Sequence, residues 1–226
     1  MRLRSLFLSD MRFQAKYGFY FLYAALTVVY IIALFALPSN WREKVAVILI
    51  FSDPAAMGLF FMGAIVLLEK SQHTPCALAV SPVRVVEYMM AKVGSLSAVS
   101  LAVATILALA AGVNHLYFVL SGTALSSVIF TLFGIIVATR IESLNQFILW
   151  TVPIEIVCFV PAILHLFNIT PAWFQYYPVN VCIDMVSGHT PSRTGFLGVM
   201  TMLIILLVFS RFRVQKMWDS MGGVTL

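Results

Sequence analysis

The chain has 226 residues; 62% are apolar, only 10% are charged, the mean hydropathy is +0.99 and the net charge is +5. A soluble domain carries about 25% charged residues, so this chain cannot clothe itself for water. Lipid must be the solvent for most of it. A separate soluble domain is excluded, and so is nucleic-acid binding, because the basic residues sit at the edges of apolar stretches.

Crossing the hydrocarbon core as a helix takes about 20 apolar residues. The apolar stretches are continuous rather than alternating, which favours helices over a barrel. The expected fold class is all-α, with six transmembrane helices in a single transmembrane domain over residues 1–226.

Residues 1–16 form an arm. Leu3, Leu6, Phe7 and Met11 recur at helical spacing, and Arg2, Arg4, Ser5, Ser9 and Arg12 fall mostly opposite. That pattern predicts an amphipathic helix in the membrane interface; a solvated basic leader is the plainer alternative. The first span runs from Tyr17 to Leu37 and stops at Pro38. It is too long for a secretory signal and no small-residue cleavage site follows it.

The second span lies within Val45 to Leu68 and is interrupted by Ser52-Asp53-Pro54. Asp followed by Pro is a helix-start signal. One reading makes residues 41–51 a short interfacial helix, with Asp53 as a cap near the outer surface. The other has Asp53 line a translocation path, since a carboxylate deep in lipid costs about 2.5–3.5 kcal/mol on insertion scales.

Residues 69–92 are the long polar interruption between spans two and three. Within it Leu78, Val80, Val83, Val85 and Val86 are apolar. Apolar residues in such a loop mark a partner interface or a segment that touches lipid. Span three, Val93 to Val113, carries small residues four apart: Gly94, Ala98 and Ala102, and Ala104, Ala108 and Gly112. Such tracks let helices approach closely in lipid.

Span four is Leu116 to Thr139. Span five, Phe147 to Phe167, holds Glu155 between Pro153 and Pro161. Glu155 either serves function, the default for an intramembrane acid, or stays neutral against backbone carbonyls that the prolines free. The external loop 168–194 contains Pro171, Trp173, Tyr176, Tyr177 and Pro178 and an apolar run from Val179 to Val186; short helices in the outer interface are expected there. Span six, Gly195 to Phe209, is short and is expected to use Arg211 and Arg213 as snorkelling ends.

Eleven Lys and Arg residues fall on the side of the termini and three on the other. The positive-inside rule then places both termini and residues 69–92 in the cytoplasm of a multi-pass cell-membrane protein. The three cysteines, Cys76, Cys158 and Cys182, fall in three compartments and make no framework. No Cys-x-x-Cys or His pair at helical spacing suggests a metal site. No phosphate-cradling Gly-x-x-x-x-Gly-Lys-Ser/Thr occurs, so no cofactor is expected on this chain.

One loop carries a pattern that can be matched. It reads Glu69-Lys70, then Leu78-Ala79-Val80-Ser81-Pro82, then Glu87-Tyr88 and Lys92. With six spans, the arm and the external helices, it resembles the ABC-2-type permeases, the membrane halves of ATP-binding-cassette exporters, and their type V exporter-like fold. His73-Thr74-Pro75-Cys76 departs from the usual Gly-Thr-Leu-Glu of that loop, and the external Tyr177-Pro178-Val179 through Asp184 matches only loosely. Phe51-Ser52-Asp53-Pro54 with Gly58-Leu59-Phe60-Phe61-Met62-Gly63 more narrowly resembles the fluoroquinolone-export permeases.

The resemblance implies a non-enzymatic permease subunit for efflux of an amphipathic drug or lipid-like compound. Its partners would be an ABC ATPase that holds Mg-ATP and a second permease copy, identical or different. Residues 69–92 would be the coupling loop, with Glu69, Thr74, Leu78, Val80, Pro82 and Glu87 transmitting to the ATPase. Phe60, Phe61, Glu155 and Phe159 would border the substrate path. Two other classes compete: a lipid-modifying membrane enzyme using Glu155 or the Asp184/His189 loop, and a proton-coupled transporter using Glu155. The first lacks a recognisable catalytic set, and the second lacks the internal repeat common in such transporters.

Overall fold

The computed structural model describes residues 2–221. Its helices are α1 (Arg2–Lys16), α2 (Phe19–Ala36), α3 (Ser39–Ala55), a π-helical stretch (Ala56–Phe61), α4 (Met62–Ser71), α5 (Thr74–Ala79), α6 (Val85–Ala111), α7 (Leu116–Ala138), α8 (Leu144–Leu166), a 3₁₀ turn (Ala172–Tyr176), α9 (Pro178–Val186) and α10 (Arg193–Met221). No strand occurs among the described residues. Six helical runs are long and apolar enough to cross a membrane, with α3, the π stretch and α4 forming one of them, Asn40–Ser71. The protein is a multi-pass, all-α membrane protein.

The arm is a helix, and it turns into α2 at Gly18, whose φ of 77° suits a residue without a Cβ. The sixth span is longer than the apolar run suggests. Helix α10 continues past Arg211 and Arg213 because Val214, Met217 and Trp218 are buried against the bundle. Likewise α6 begins at Val85, inside the polar interruption, capped by Glu87, whose Oε2 accepts the Arg84 backbone N–H at 2.8 Å.

Asp53 does not start a helix. Helix α3 runs through it, and Pro54 sits inside the helix. Pro54 cannot donate to the carbonyl four residues back. The chain absorbs the loss by widening to π geometry, in which the Met62 N–H reaches the Met57 carbonyl. The expected cap near the outer surface is therefore replaced by a buried carboxylate within a continuous span, 3% exposed, whose Oδ2 has no hydrogen-bond partner among the described residues.

Helix α7 is the centre of the bundle, with α3, α4, α6, α9, α10 and the π stretch all packed on it. Helices α2 and α8 are peripheral and present large apolar residues outward. The tightest crossing is between Gly58 of the π stretch and Gly134 of α7. A Cβ on Gly58 would lie 2.5 Å from the Thr131 nitrogen, and one on Gly134 would lie 2.9 Å from the Met62 Cβ and closer still to the Gly58 carbonyl oxygen. The obstacles are largely backbone, so they cannot rotate away.

Gly134→Val is therefore expected to cost more than the usual 1–3 kcal/mol of overpacking. Thermal melting of the detergent-solubilised protein, followed by circular dichroism, should fall sharply. Melting equal to that of the wild type would mean that the two helices do not cross here.

Candidate functional site

Three segments meet at the end of the bundle that carries both described termini. They are α1, the end of α4 and the start of α6. Lys92 of α6 forms ion pairs with Asp10 of α1 and Glu69 of α4, and all three side chains are at most 8% exposed. The second Glu69 oxygen accepts the Tyr88 O–H at 2.6 Å. Ser95 Oγ donates to Asp10, and Gln14 Nε2 donates to Asp10 Oδ2 and to Ser95 Oγ, both at 2.9 Å. The Lys92 ammonium also lies over the rings of Phe13 and Tyr88.

This arrangement puts one cation and two anions out of water, each with further hydrogen bonds. That is the condition under which a buried ion set is tolerated. It also ties α1 to the bundle, as the one charged link between α1 and α6 among the described residues. The arm pattern overlooked Asp10 and Gln14, the two polar residues on its buried face. Their sequence signal is faint: a lone acid on the apolar face of an amphipathic helix. Its partner Lys92 lies 82 positions away.

The neighbouring residue locks the other side. Lys70 Nζ donates to the carbonyls of Ala138 at 2.8 Å, Thr139 at 3.3 Å and Ile141 at 2.8 Å. A cation there also meets the negative end of the α7 dipole. The Glu69-Lys70 pair thus ties the end of α4 to α1, α6 and α7 together.

Beyond it the chain turns at His73, in left-handed backbone at φ 55°, into α5, which packs against α10. A cavity of about 280 Å³ lies between α1, α5 and α6, lined by Asp10, Phe13, Glu69, Thr74, Leu78 and Lys92. Thr74 and Leu78 therefore face inward. Glu87 caps α6. Val80, at the tip, is 80% exposed, and Pro82 beside it is also exposed. The expected coupling residues thus divide into an interior group and a tip, and Glu69 is buried rather than displayed.

The proposed path residues sit on adjoining elements, since the π stretch packs against α8. Phe61 contacts the rings of Phe19 and Tyr23 on α2, at centroid distances of 5.5 and 4.9 Å. Phe159 stacks on Phe51 at 5.8 Å, and Phe51 meets Phe130 edge-on. Phe60 and Glu155 are half-buried. Of the two small-residue tracks in span three, Ala104 and Ala108 of the second are buried as expected, whereas in the first Gly94 receives the Phe7 ring of the arm and Ala98 and Ala102 are exposed.

On the opposite side, His165 at the end of α8 pairs with Asp184 of α9 at 3.2 Å and with Thr170 at 3.0 Å. Burial pushes the Asp184 carboxyl up, and His165 and His189 oppose that shift. Tyr177 donates its O–H to the Val157 carbonyl at 3.2 Å, and burial pushes the phenol up to about 12. Cys182 is wholly buried on α9, and its thiol is likewise pushed up to about 12. Residues 168–194 are therefore a helical cover pinned to α8, as their aromatic and apolar residues suggest.

Residues 1–191, which include all of these features except α10, match the sequence profile of the fluoroquinolones export permease protein family. The chain belongs to that family. Two fluoroquinolones export permease proteins from two strains of Mycobacterium tuberculosis are each 28% identical to it over 155 residues. The match covers 67% of this chain and spans 65% of the length of each relative.

Lys92→Met would leave Asp10 and Glu69 buried without their cation, at a cost of about 3–5 kcal/mol. The arm should then become open to trypsin at Arg12 and Lys16, and the melting temperature should drop. Adding Asp10→Asn and Glu69→Gln should restore most of the loss. An unchanged cleavage rate in the single variant would mean that the ion set does not hold the arm.

Proposed function

We propose that this chain is the permease subunit of an ATP-binding-cassette exporter of the ABC-2 type, which moves an amphipathic drug or lipid-like compound outward across the cell membrane. The ATP would be hydrolysed, as its magnesium complex, on a separate ATPase subunit. A second permease, identical or different, would complete the path. The observation that carries this reading is the exposed Val80 tip on a loop whose base is fastened to four helices.

A coupling element must meet a partner and must not bend. Val80 at 80% exposure, with Val86 at 45%, supplies apolar surface for a partner. Thr74 and Leu78 seat the loop on the bundle, and Glu69 and Lys70 pass its displacement to α1, α6 and α7. Movement of the tip would then tilt the second and third spans, where the π stretch supplies a weak point in the helix. Phe60, Phe61, Glu155 and Phe159 border the path in this reading, with the acid favouring cationic cargo. The family membership supports the permease role, and the names of the relatives support export of fluoroquinolone-like compounds.

Two experiments test the reading. Val80→Asp places a charge at the partner contact, where an uncompensated charge costs on the order of 2–5 kcal/mol. Co-purification with the ATPase and export of a fluoroquinolone should both fail, while membrane insertion persists. Normal export by this variant would remove Val80 from the coupling contact.

The second concerns orientation. Cys182 is buried and cannot report it. Thr190, after α9, is exposed, and so is Arg84 on the loop. On a background with Cys76 replaced by Ser, an impermeant maleimide applied to intact cells should label Thr190→Cys and not Arg84→Cys. The reverse pattern would invert the topology and with it the export direction.

A further inference from the structure

At the same end of the bundle as the ion set, but on its outer flank, a groove of about 460 Å³ opens between α7, α8 and α10. That volume lies within the range of small-molecule sites, about 300–1,000 Å³. Its floor and walls are apolar, with Ile136 from α7, Trp150 and Ile154 from α8 and Phe209 from α10. Its rim is polar, with Arg140 and Gln146.

Arg213 stands one helical turn beyond Phe209 on α10. The Arg140 and Arg213 guanidinium groups are close enough to repel one another. Neither has a carboxylate within ion-pair distance among the described residues, and the Arg213 Nε is buried without a hydrogen-bond partner. The nearby acid Glu142 lies close to Lys70, which also feels the charge of Arg213. Gln146 accepts the Glu142 backbone N–H through Oε1, which leaves its amide N–H groups for the rim. Two like charges near one another, one with an unsatisfied Nε, suit an anion, and the apolar wall beneath them suits a chain.

We propose that this groove binds an anionic phospholipid, with its phosphate between Arg140 and Arg213 and one acyl chain along Ile136, Trp150, Ile154 and Phe209. The charge pattern selects an anion, since basic pockets between spans at the membrane edge recognise anionic headgroups. The apolar lining separates a lipid from a free phosphate, which would need only the arginines. Trp150 lies in the second turn of α8, at the rim end of the groove, and indole rings favour headgroup level near the ends of spans. The bound lipid fills the seam between α8 and α10, the two least buried of the spans that pack on α7. The site does not depend on the exporter reading, and its test uses neither ATPase nor cargo.

The test is quenching of tryptophan fluorescence in the purified full chain, with brominated phosphatidylglycerol compared with brominated phosphatidylcholine of the same chain length. The part of the quenching lost in Trp150→Phe reports the groove. Phosphatidylglycerol should be preferred there by on the order of tenfold, and the double variant Arg140→Gln/Arg213→Gln should abolish the preference. Arg211→Gln, an exposed neighbour on α10, should keep it. Should the double variant fail to fold, Ile154→Trp fills the groove without touching either arginine and should lower occupancy by phosphatidylglycerol. Equal quenching by the two lipids would overturn the proposal. So would a preference that survives the double variant, or that survives filling of the groove. Inorganic phosphate that raises the melting temperature as much as phosphatidylglycerol would show that a free anion suffices, and would overturn the lipid as occupant.

Discussion

Lipid gives helices no hydrophobic reward for leaving it, so a bundle of spans holds together only where backbones approach closely and polar groups find partners. In this protein both requirements converge on α7. Gly134 lets the π stretch come within reach of backbone at Gly58, and Gly122 lets α9 approach so closely that a Cβ there would lie 2.8 Å from the Cys182 carbonyl oxygen. Around that axis some hydroxyl groups of α6 and α7 find partners, such as Ser97 with Ser127 across the two helices at 3.0 Å, whereas Thr123 and Thr131 of α7 are buried without one among the described residues. Every other span except α2, which packs on α1, α3 and α6, takes its position from contact with this helix.

The second constraint is electrostatic. A lysine and two carboxylates buried together are stable only as a set, so Asp10, Glu69 and Lys92 make α1, α4 and α6 move as one body. Lys70 adds α7 by capping its carbonyl end. The loop that follows is therefore stiff at its root and exposed at its tip. In the proposed coupling role, stiffness at the root would turn displacement of the tip into displacement of spans. The π stretch beside Pro54 lies in the span that would receive it, and widened turns of that kind occur often where helices do functional work.

The two ends of the bundle differ in kind. One is cationic: Lys92 is locked in its ion set and Lys70 on backbone carbonyls, while Arg4, Arg12, Lys16, Arg84, Arg140 and Arg211 are exposed. The other is closed by α9 and the 3₁₀ turn, pinned through His165–Asp184 and Tyr177. The cationic end therefore has surface for acidic or anionic partners, while the other end is a lid of aromatic and apolar groups.

The class of the molecule was legible in its residues. Six apolar runs admit only helices in lipid, because every backbone polar group must be satisfied within its own segment. The arm, the polar interruption at 69–92 and the external helical cover could be read for the same reason, since each rests on local periodicity. The loop pattern and the stretch from Phe51 to Gly63 carried the family resemblance.

What tertiary structure decided depends on residues far apart in the chain. Asp53-Pro54 has the local chemistry of a helix start, but packing of the π stretch on α7 keeps the helix continuous and buries the acid. Glu69 has the look of a surface contact and becomes an interior ion, because Lys92 and Asp10 reach it from other helices. Asp10 could not be singled out at all, since a buried charge is intelligible only through a partner, and no local pattern names one 82 residues away. Local periodicity sets what each segment can be, whereas the pairing of charges and the crossing of glycines are properties of the assembled bundle.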